Sequence, residues 1–536
     1  MIESWFYKTT IYQIYPRSFL DTNHDGIGDI RGIIEKLDYI RDLGFETIWA
    51  SPYVASAQRD FGYDITDYCA VAPEYGTMED VDRLIEEVHK RGMKILFDMV
   101  LNHTSDQHSW FIESKSSRNN PKANWYIWRD KPNNWKSITG PNGWQYCKER
   151  DQYYFCSFLP FQPDLNYRDP VLKQTMFDIC RFWLKKGMDG FRLDIFNCIL
   201  KDPQFRDNPF SLFHPFPTPE WAGGNFQKRL YSTNWPENES LALELRALVD
   251  EFEPERLLLG EVFGGHDKIK TYLGQNCDGL HLIFLFDILF YKFKAGFFRK
   301  KIIEQNFHYP HPFMPTIVFS NHDQWRSIRR IGNDLQKAKV LAFLKFTLRG
   351  VPTIYYGEEI GMRNKKIPLK DAKDSLAHQY KWIPEWIARL LPIPINRDAC
   401  RTPMQWNKQA NAGFTDAVPW LPVNKMYVER NVETEQKSEG SLLNIFIQMM
   451  AVRKKYKALH EGDIGILPVK GNAILGFCRK AGQEELLVFI NFSKKRKKIN
   501  FGLAGYSLVH NLSEIHLKDS STLEMAGLSA CIFIKD

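Results

Sequence analysis

Along this chain, short runs of consecutive apolar residues alternate with longer stretches in which apolar positions recur every three or four residues. The first pattern reads as buried strand, the second as a helix with one packed face. Strands are predicted at Ile11–Tyr15, Thr47–Ala50, Lys94–Val100, Gly190–Leu193, Leu257–Gly260, Leu280–Phe284, Thr316–Phe319 and Thr353–Tyr356. Helical periods lie between most of them, as at Met78–Arg91, Pro170–Lys185, Ser240–Glu251 and Lys337–Leu348. Repeated βα units with parallel strands, eight in number, predict an α/β fold, a closed (β/α)8 TIM barrel.

Two departures from the regular spacing predict additional domains. Between the third and fourth strands lies an aromatic, Pro- and Gly-rich segment, 104–169, too long for an ordinary loop. It divides the barrel into 1–103 and 170–460. Residues 461–536 hold short strand patterns such as "AILGFC", "ELLVFINF" and "ACIFIKD" without intervening helices, which predicts a C-terminal β-sandwich.

Composition narrows the function classes. The chain has 536 residues, 44% hydrophobic, enough to bury a large core. Its net charge is only +7, and basic residues are scattered except for Lys494–Lys498, read as a solvated turn, so nucleic acid is not an expected partner. Residues 1–6 form neither a basic signal region nor an apolar core, and no run reaches 18 apolar residues. Nine cysteines without paired short spacings fit a reducing compartment. A soluble, cytoplasmic protein without a membrane partner is expected.

The barrel prediction gives the polar residues a place, because active sites of such barrels form at the C-terminal strand ends. Strand three ends in "DMVLNH" with Asp98, Asn102 and His103, and strand four in "GFRLD" with Arg192 and Asp194. Strand five ends in "LLLGE" with Glu261, and strand seven in "FSNHD" with Asn321, His322 and Asp323. In isolation, Arg192 and Asp194 would read as a structural ion pair on one strand face. With acids and histidines converging on one mouth, they read as chemistry. Carboxylates without a Ser or Cys nucleophile or a zinc-type ligand set suit glycoside hydrolysis, in which one carboxylate attacks, an acid protonates the leaving oxygen, and negative charge stabilises an oxocarbenium ion.

In that order, "DMVLNH", "GFRLD", "LLLGEVFG" and "FSNHD" resemble the four signature regions of the α-amylase superfamily of glycoside hydrolases, and "QPDLN" at 162–166 resembles its fifth. "DFGYDITDY" and "RDACRTPMQW" are similar to the oligo-1,6-glucosidase and α-glucosidase branch, whose members are retaining and exo-acting. The resemblance implies Asp194 as nucleophile, Glu261 as general acid and base, and Asp323 as the third carboxylate, with Arg192 aiming Asp194. It further implies that His103 and His322 bind glucose hydroxyls, that Tyr63 stacks on the ring, and that Asp60 and an arginine close the pocket. The motif offers Arg397 and Arg401, of which Arg397 is preferred; Phe158 is expected at the rim, with Asp98 and Asn102 supporting Arg192 and neighbouring loops.

A second acidic cluster, "DTNHDGIGD", places Asp21, Asn23, Asp25 and Asp29 around a turn in spacing that suits a hard cation, although Gly32 stands where an EF-hand carries glutamate. The resemblance implies a structural calcium or magnesium ion here, with the Ile27 carbonyl as an added ligand. The chain departs from its relatives at Trp325, where they commonly have proline, and at Ile195, nearer to the valine of α-1,6 enzymes. Residues 207–239 are expected to wall the acceptor side. The expected substrate is a short oligosaccharide or disaccharide. The alternatives are a transglycosylase or sucrose isomerase, whose "RLDRD" loop is replaced here by "QWRSIRR", a sucrose- or trehalose-6-phosphate-acting relative, and a non-catalytic binding protein of the same fold.

Overall fold

The computed structural model describes residues 4–140, 142–215, 223–391, 393–519 and 521–536. Eight parallel strands form its centre: β1 (Ile11–Ile14), β2 (Thr47–Ala50), β3 (Lys94–Met99), β4 (Gly190–Leu193), β5 (Leu257–Gly260), β6 (Leu282–Ile283), β7 (Thr316–Val318) and β8 (Val351–Tyr355). Their hydrogen-bonded order is β6-β5-β4-β3-β2-β1-β8-β7. The expected barrel is present, with strands one or two residues shorter at several ends.

Strand alternation divides the apolar residues between two cores. Ile11, Trp49, Leu96, Leu257, Leu259, Leu282, Val318 and Val351 fill the barrel interior. Ile48, Ile95, Phe97, Phe191, Leu193, Leu258, Ile317 and Ile354 face outward into the layer of helices. The surrounding helices are amphipathic and capped. Met78–Lys90, for example, starts with a Thr77–Asp80 capping box and buries Val81, Leu84, Ile85 and Val88.

The barrel closes by a side chain. No backbone ladder joins β6 to β7. Instead the buried Thr316 hydroxyl donates to the Ile283 carbonyl at 2.9 Å and accepts from the Leu285 N–H at 2.9 Å. At the other strand contact that matters for the site, Gly190 has φ +149°, and a Cβ there would lie 2.1 Å from the Leu257 carbonyl oxygen. A side chain at this position would push β4 away from β5.

The segment 104–169 carries a helix, Ser109–Ser116, and a three-stranded antiparallel sheet of Trp128–Arg129, Gln152–Phe155 and Trp144–Cys147. The C-terminal region forms two antiparallel sheets. In the five-stranded sheet, Leu487, Phe489, Cys531 and Phe533 face Ile499, Leu523 and Met525 of the second sheet. Their neighbours Leu486, Val488, Ile490 and Ile532 pack against the barrel. A sheet covered on both faces explains the continuous apolar run in "ELLVFINF". Lys497 and Lys498 open the strand Lys497–Asn500 rather than completing a turn, a correction with a plain cause: an edge strand tolerates lysines that point to solvent.

Substituting Thr316→Val keeps the shape but strips two buried main-chain groups of their partner, which should cost about 1–3 kcal/mol for each. Thermal or urea unfolding should show the loss, with Thr316→Ser restoring most of it. An unchanged midpoint in the valine variant would rule out the seam as a stabilising element.

Candidate active site

The parity that sends Leu96 into the barrel sends Asp98 inward two residues later, at the C-terminal end of β3. The same count places Arg192 and Asp194 on β4 and its exit, and Glu261 beyond Leu259 on β5. Asp98 lies directly beside Arg192 in the β3–β4 register, and Arg192 beside Leu259 in β4–β5. Phe191 and Leu193 face the helices. The charges in "GFRLD" are therefore interior residues of a strand whose other face is apolar.

Arg192 is 1% exposed and joins three carboxylates. One terminal nitrogen donates to Asp98 Oδ1 at 2.9 Å and to Asp194 Oδ1 at 2.6 Å; the other donates to Glu261 Oε2 at 2.5 Å. The Trp49 ring lies beneath the guanidinium, 4.9 Å from its central carbon, and Trp49 donates to Asp98 Oδ2 at 2.9 Å. One cation among three buried acids leaves an excess of negative charge, which favours retention of a proton. Burial raises the pKa of Asp194, with Arg192 opposing and Glu261 and Asp98 adding to the rise, so that the proton retained belongs to the cluster as a whole. Burial also raises Glu261; Arg192 opposes it and Asp323 reinforces it.

The chain leaves β4 under strain. Ile195, immediately after Asp194, has φ 35° and ψ 48°, a left-handed conformation that is unusual for a β-branched residue. Its N–H points at Glu261 Oε2 at 3.3 Å, and the next N–H, of Phe196, donates to the Glu261 carbonyl at 2.9 Å. This turn ties the exit of β4 to that of β5.

Asp323 follows β7 and is the most open of the three implied catalytic acids, with a side chain 31% exposed against 10% for Asp194 and 6% for Glu261. Burial would raise its pKa, but His322, Arg397 and Arg401 outweigh it and hold the carboxyl below its ordinary value. Arg401 donates to Asp323 Oδ1 at 2.8 Å and to the His322 carbonyl at 2.9 Å. Arg397 reaches Asp323 Oδ1 at 3.1 Å, Asp60 Oδ1 at 2.6 Å and both oxygens of Asp374 at 2.8 and 3.0 Å. Both arginines of the motif thus hold Asp323, and Arg397 alone of the two bridges to Asp60.

His322 is buried, and burial lowers its pKa to about 3, so it is neutral. The Gln13 amide donates to Nδ1 at 2.8 Å, which leaves the proton on Nε2, 2.8 Å from the Tyr63 hydroxyl. Tyr63 in turn donates to Asp98 Oδ2 at 3.0 Å, and its ring lies parallel to the imidazole at a 5.3 Å centroid distance. Gln13, His322, Tyr63, Asp98 and Arg192 form one hydrogen-bonded chain across the barrel mouth.

His103 faces Phe158 with ring centroids 5.7 Å apart, and its Nε2 lies 3.1 Å from the Tyr63 carbonyl oxygen. Gln162 donates to Asp60 Oδ2 at 3.0 Å. Asn102 does not reach Arg192; it donates to Asp164 Oδ1 at 3.1 Å, and Lys201 pairs with Asp164 at 2.7 Å, pinning segment 104–169 to the barrel. Within 207–239, residues 216–222 lie outside the described residues; Phe210 and Phe213 on its described part are exposed.

Periodicity and strand-end position do not point to Gln13, Trp49, Gln162 or Asp374. Gln162 lies inside a motif and was within reach; Asp374, in "KDAKDSLAH", carries no periodicity or spacing that distinguishes it.

In the loop 21–29 the side chains of Asp21, Asn23, Asp25 and Asp29 and the Ile27 carbonyl offer hard oxygens, the class that suits calcium or magnesium. Asp21 accepts from the N–H groups of Asn23, His24 and Gly26 at 2.8–3.1 Å, and Asp25 from that of Ile27 at 2.7 Å. Asp29 caps the helix Ile30–Glu35 through the Gly32 N–H at 2.7 Å. The three carboxylates do not share a point, since no choice of their oxygens brings all three within 4.8 Å. Among the described residues the one His/Asp/Glu set that does so is His266, Asp287 and Glu304, and Lys301 already brings a positive charge there, 2.8 Å from Glu304. No helix among the described residues is long and apolar enough to cross a membrane.

Comparison with known proteins agrees with this geometry. The family model for the α-amylase catalytic domain matches residues 13–462. A probable alpha-glucosidase of Rhizobium meliloti (strain 1021) is 38% identical over 508 residues, covering 91% of this chain and 89% of its own. An oligo-1,6-glucosidase of Parageobacillus thermoglucosidasius is 35% identical over 522 residues, with coverage of 92% and 91%. Among solved structures, the alpha-glucosyl transfer enzyme XgtA superimposes with a TM-score of 0.92 at 35% identity, covering 99% of both chains. An isomaltulose synthase from Erwinia rhapontici NX5, in complex with sucrose, gives 0.89 at 32% identity, covering 100% and 99%. Similarity that begins in β1 and runs through every strand end described above shows that the chain belongs to the α-amylase family of glycoside hydrolases.

Proposed function

We infer that this chain is a retaining, exo-acting α-glucosidase, releasing terminal non-reducing glucose from short oligosaccharides or disaccharides. The observation that carries the reading is the single guanidinium held between Asp194 and Glu261. Two carboxyls bridged this closely suit the spacing of about 5–5.5 Å used by retaining enzymes rather than the wider gap that admits a water. Asp194 attacks the anomeric carbon and forms a glucosyl ester, while Glu261 protonates the departing oxygen. Glu261 then takes a proton from the water that cleaves the ester. Asp323, kept ionised by two arginines, holds ring hydroxyls and the developing positive charge.

The exo character rests on the Asp60–Arg397–Asp323 bridge. It spans the loops after β2, β7 and β8 and closes one end of the pocket, where His103, Tyr63 and Phe158 would meet a terminal glucose. Ile195, which directly follows Asp194 and is nearer to the valine of α-1,6 enzymes, supports a preference for α-1,6 linkages. In a second reading, supported by the glucosyl transfer enzyme and the sucrose isomerase among the structural neighbours, a sugar hydroxyl replaces water as acceptor on the same machinery. A calcium or magnesium ion in loop 21–29 would draw its oxygens from Asp21, Asn23, Asp25, Asp29 and the Ile27 carbonyl. A cytoplasmic location is part of the reading, supported by cysteine usage.

Glucose release from maltose, isomaltose, panose, sucrose, trehalose and trehalose-6-phosphate, with starch as the polymer control, tests the reading. Strong release from small substrates with little from starch is expected; isomerised or elongated products would favour the second reading. Asp194→Ala should lower kcat by roughly 10⁴-fold or more, and wild-type turnover in that variant would refute the mechanism.

The pH profile tests Glu261. Its carboxyl is raised by burial, so the alkaline limb of kcat/KM should lie above the ordinary glutamate value of about 4.3. Asp98→Asn removes a negative neighbour and should move that limb to lower pH; a limb that stays in place would separate Asp98 from the acid. Chelation with EDTA should lower the melting temperature, and added calcium or magnesium should restore it. A melting curve indifferent to both would exclude the ion.

A further inference from the structure

Three acids share Arg192, and the cluster they form retains a proton, yet that proton is useful on only some of them. The Asp98 side chain has no exposed surface, whereas Asp194 and Glu261 open to the mouth of the barrel. A proton resting on Asp98 would be lost to the reaction, because it would leave Glu261 ionised and unable to protonate the departing oxygen. Something in the site has to keep it off Asp98.

The hydrogen-bond donors are distributed unequally. Asp98 accepts three: Arg192 on Oδ1 at 2.9 Å, and on Oδ2 both the Trp49 indole N–H at 2.9 Å and the Tyr63 hydroxyl at 3.0 Å. Glu261 accepts two, from Arg192 and from the Ile195 N–H, both on Oε2, and among the described residues Asp194 accepts Arg192 alone. Donors aimed at a carboxylate favour its charged form. Burial raises the Asp98 carboxyl, and Arg192, Trp49 and Tyr63 act against that rise; His322 is neutral and reaches Asp98 only through Tyr63. Of the two donors on Oδ2, Trp49 is the fixed one. It stands on β2 in register with Leu96 and is 2% exposed. Its ring packs on Phe284 at a centroid distance of 5.4 Å, meets the His322 ring edge-on at 6.1 Å, and carries the Arg192 guanidinium on its face.

We propose that Trp49 is a positioning residue that excludes the retained proton from Asp98 and so confines it to Asp194 and Glu261, the pair that meets the sugar. Its indole N–H holds Asp98 Oδ2 as an anionic acceptor, while its ring supports the guanidinium separately. The inference rests on the α-glucosidase reading for the role of Glu261. Trp49→Phe keeps a ring beneath Arg192 and removes the N–H. A hydrogen bond to a charged group is worth roughly one to two powers of ten in an equilibrium constant, so Asp98 would gain the proton at the expense of the pair. The cluster would then bind its proton more tightly and use it less often. These two effects are equal in size, because above the alkaline limb, where most of the cluster is deprotonated, the population with the proton on the productive pair does not change.

The pH dependence of kcat/KM for the preferred disaccharide, measured on Trp49→Phe, tests it. The plateau should fall about tenfold and the alkaline limb should move up by about one pH unit, so that parent and variant rates converge above the limb. Hydrolysis of p-nitrophenyl α-glucoside, whose nitrophenolate departs without a proton, should fall far less. In an Asp98→Asn background, Trp49→Phe should leave the limb where Asp98→Asn alone puts it, because asparagine takes no proton. Tyr63→Phe removes the other donor to the same oxygen and should also raise the limb, again only while Asp98 is present, which carries the test if Trp49→Phe does not fold. Infrared titration of protonated carboxyls reads the same shift without turnover. A limb that stays in place, an equal loss on both substrates, or a shift that persists in the Asp98→Asn background overturns the proposal. Absence of glucoside hydrolysis by the parent protein would count against the α-glucosidase reading, and the infrared titration would still decide where the proton sits.

Discussion

The site depends on one buried guanidinium. Arg192 is shared by Asp98, Asp194 and Glu261, and each of these acids sits where water cannot compensate its charge. Removing the cation would leave three uncompensated carboxylates, and breaking even one buried pair typically costs about 3–5 kcal/mol. The arrangement does more than neutralise charge. With one cation for three acids, the cluster is electrostatically incomplete, and it holds a proton that a fully paired cluster would give up. A retaining glycosidase needs that inequality, because one of its two carboxylates has to attack as an anion while the other still carries its proton.

The inequality is created by geometry that begins in the strands. Three adjacent parallel strands present Asp98, Arg192 and Glu261 at successive positions around the barrel, and the spacing between them is set by backbone pairing. Gly190 permits β4 and β5 to approach closely enough for Arg192 to touch Glu261. The left-handed turn at Ile195 then fixes the exit of β4 against β5. Rigid elements thus position the charges, and loops position the parts that touch the rest of the sugar. Asp323 follows this division: it stands on a loop, is more open, and is held by Arg397 and Arg401 from the loop after β8.

What the sequence made legible follows the same division. Strands betray themselves by period, so all eight barrel strands and the inward position of Asp98, Arg192, Asp194 and Glu261 could be read from alternation and the polar strand ends. The hairpin of Val54–Ser56 with Ile65–Val71, between whose strands Asp60 and Tyr63 sit, had no such signal. Nor did Asp374, whose role exists only because the chain returns from β8 to meet Arg397 at 2.8 Å. Contacts between residues far apart in sequence and outside regular elements leave no period to detect. The loop 21–29 shows how one residue type serves two purposes: its spacing suggests a ring of ligands, and Asp29 also caps the helix Ile30–Glu35.

The loops after β7 and β8 therefore deserve to be considered as one unit. They meet twice, once where Arg397 and Arg401 grip Asp323 and once around the cavity lined by Trp325 and Asn396. Trp325 belongs to the second meeting and replaces a residue that in related chains is proline, which has no indole and no side-chain donor. Its ring carries the Arg329 guanidinium 3.7 Å from the centroid, so the substitution adds a platform to the wall between the two loops. A change of this kind leaves the carboxylates and their guanidinium untouched. It reshapes the wall beside the reaction while leaving in place the charges that perform it.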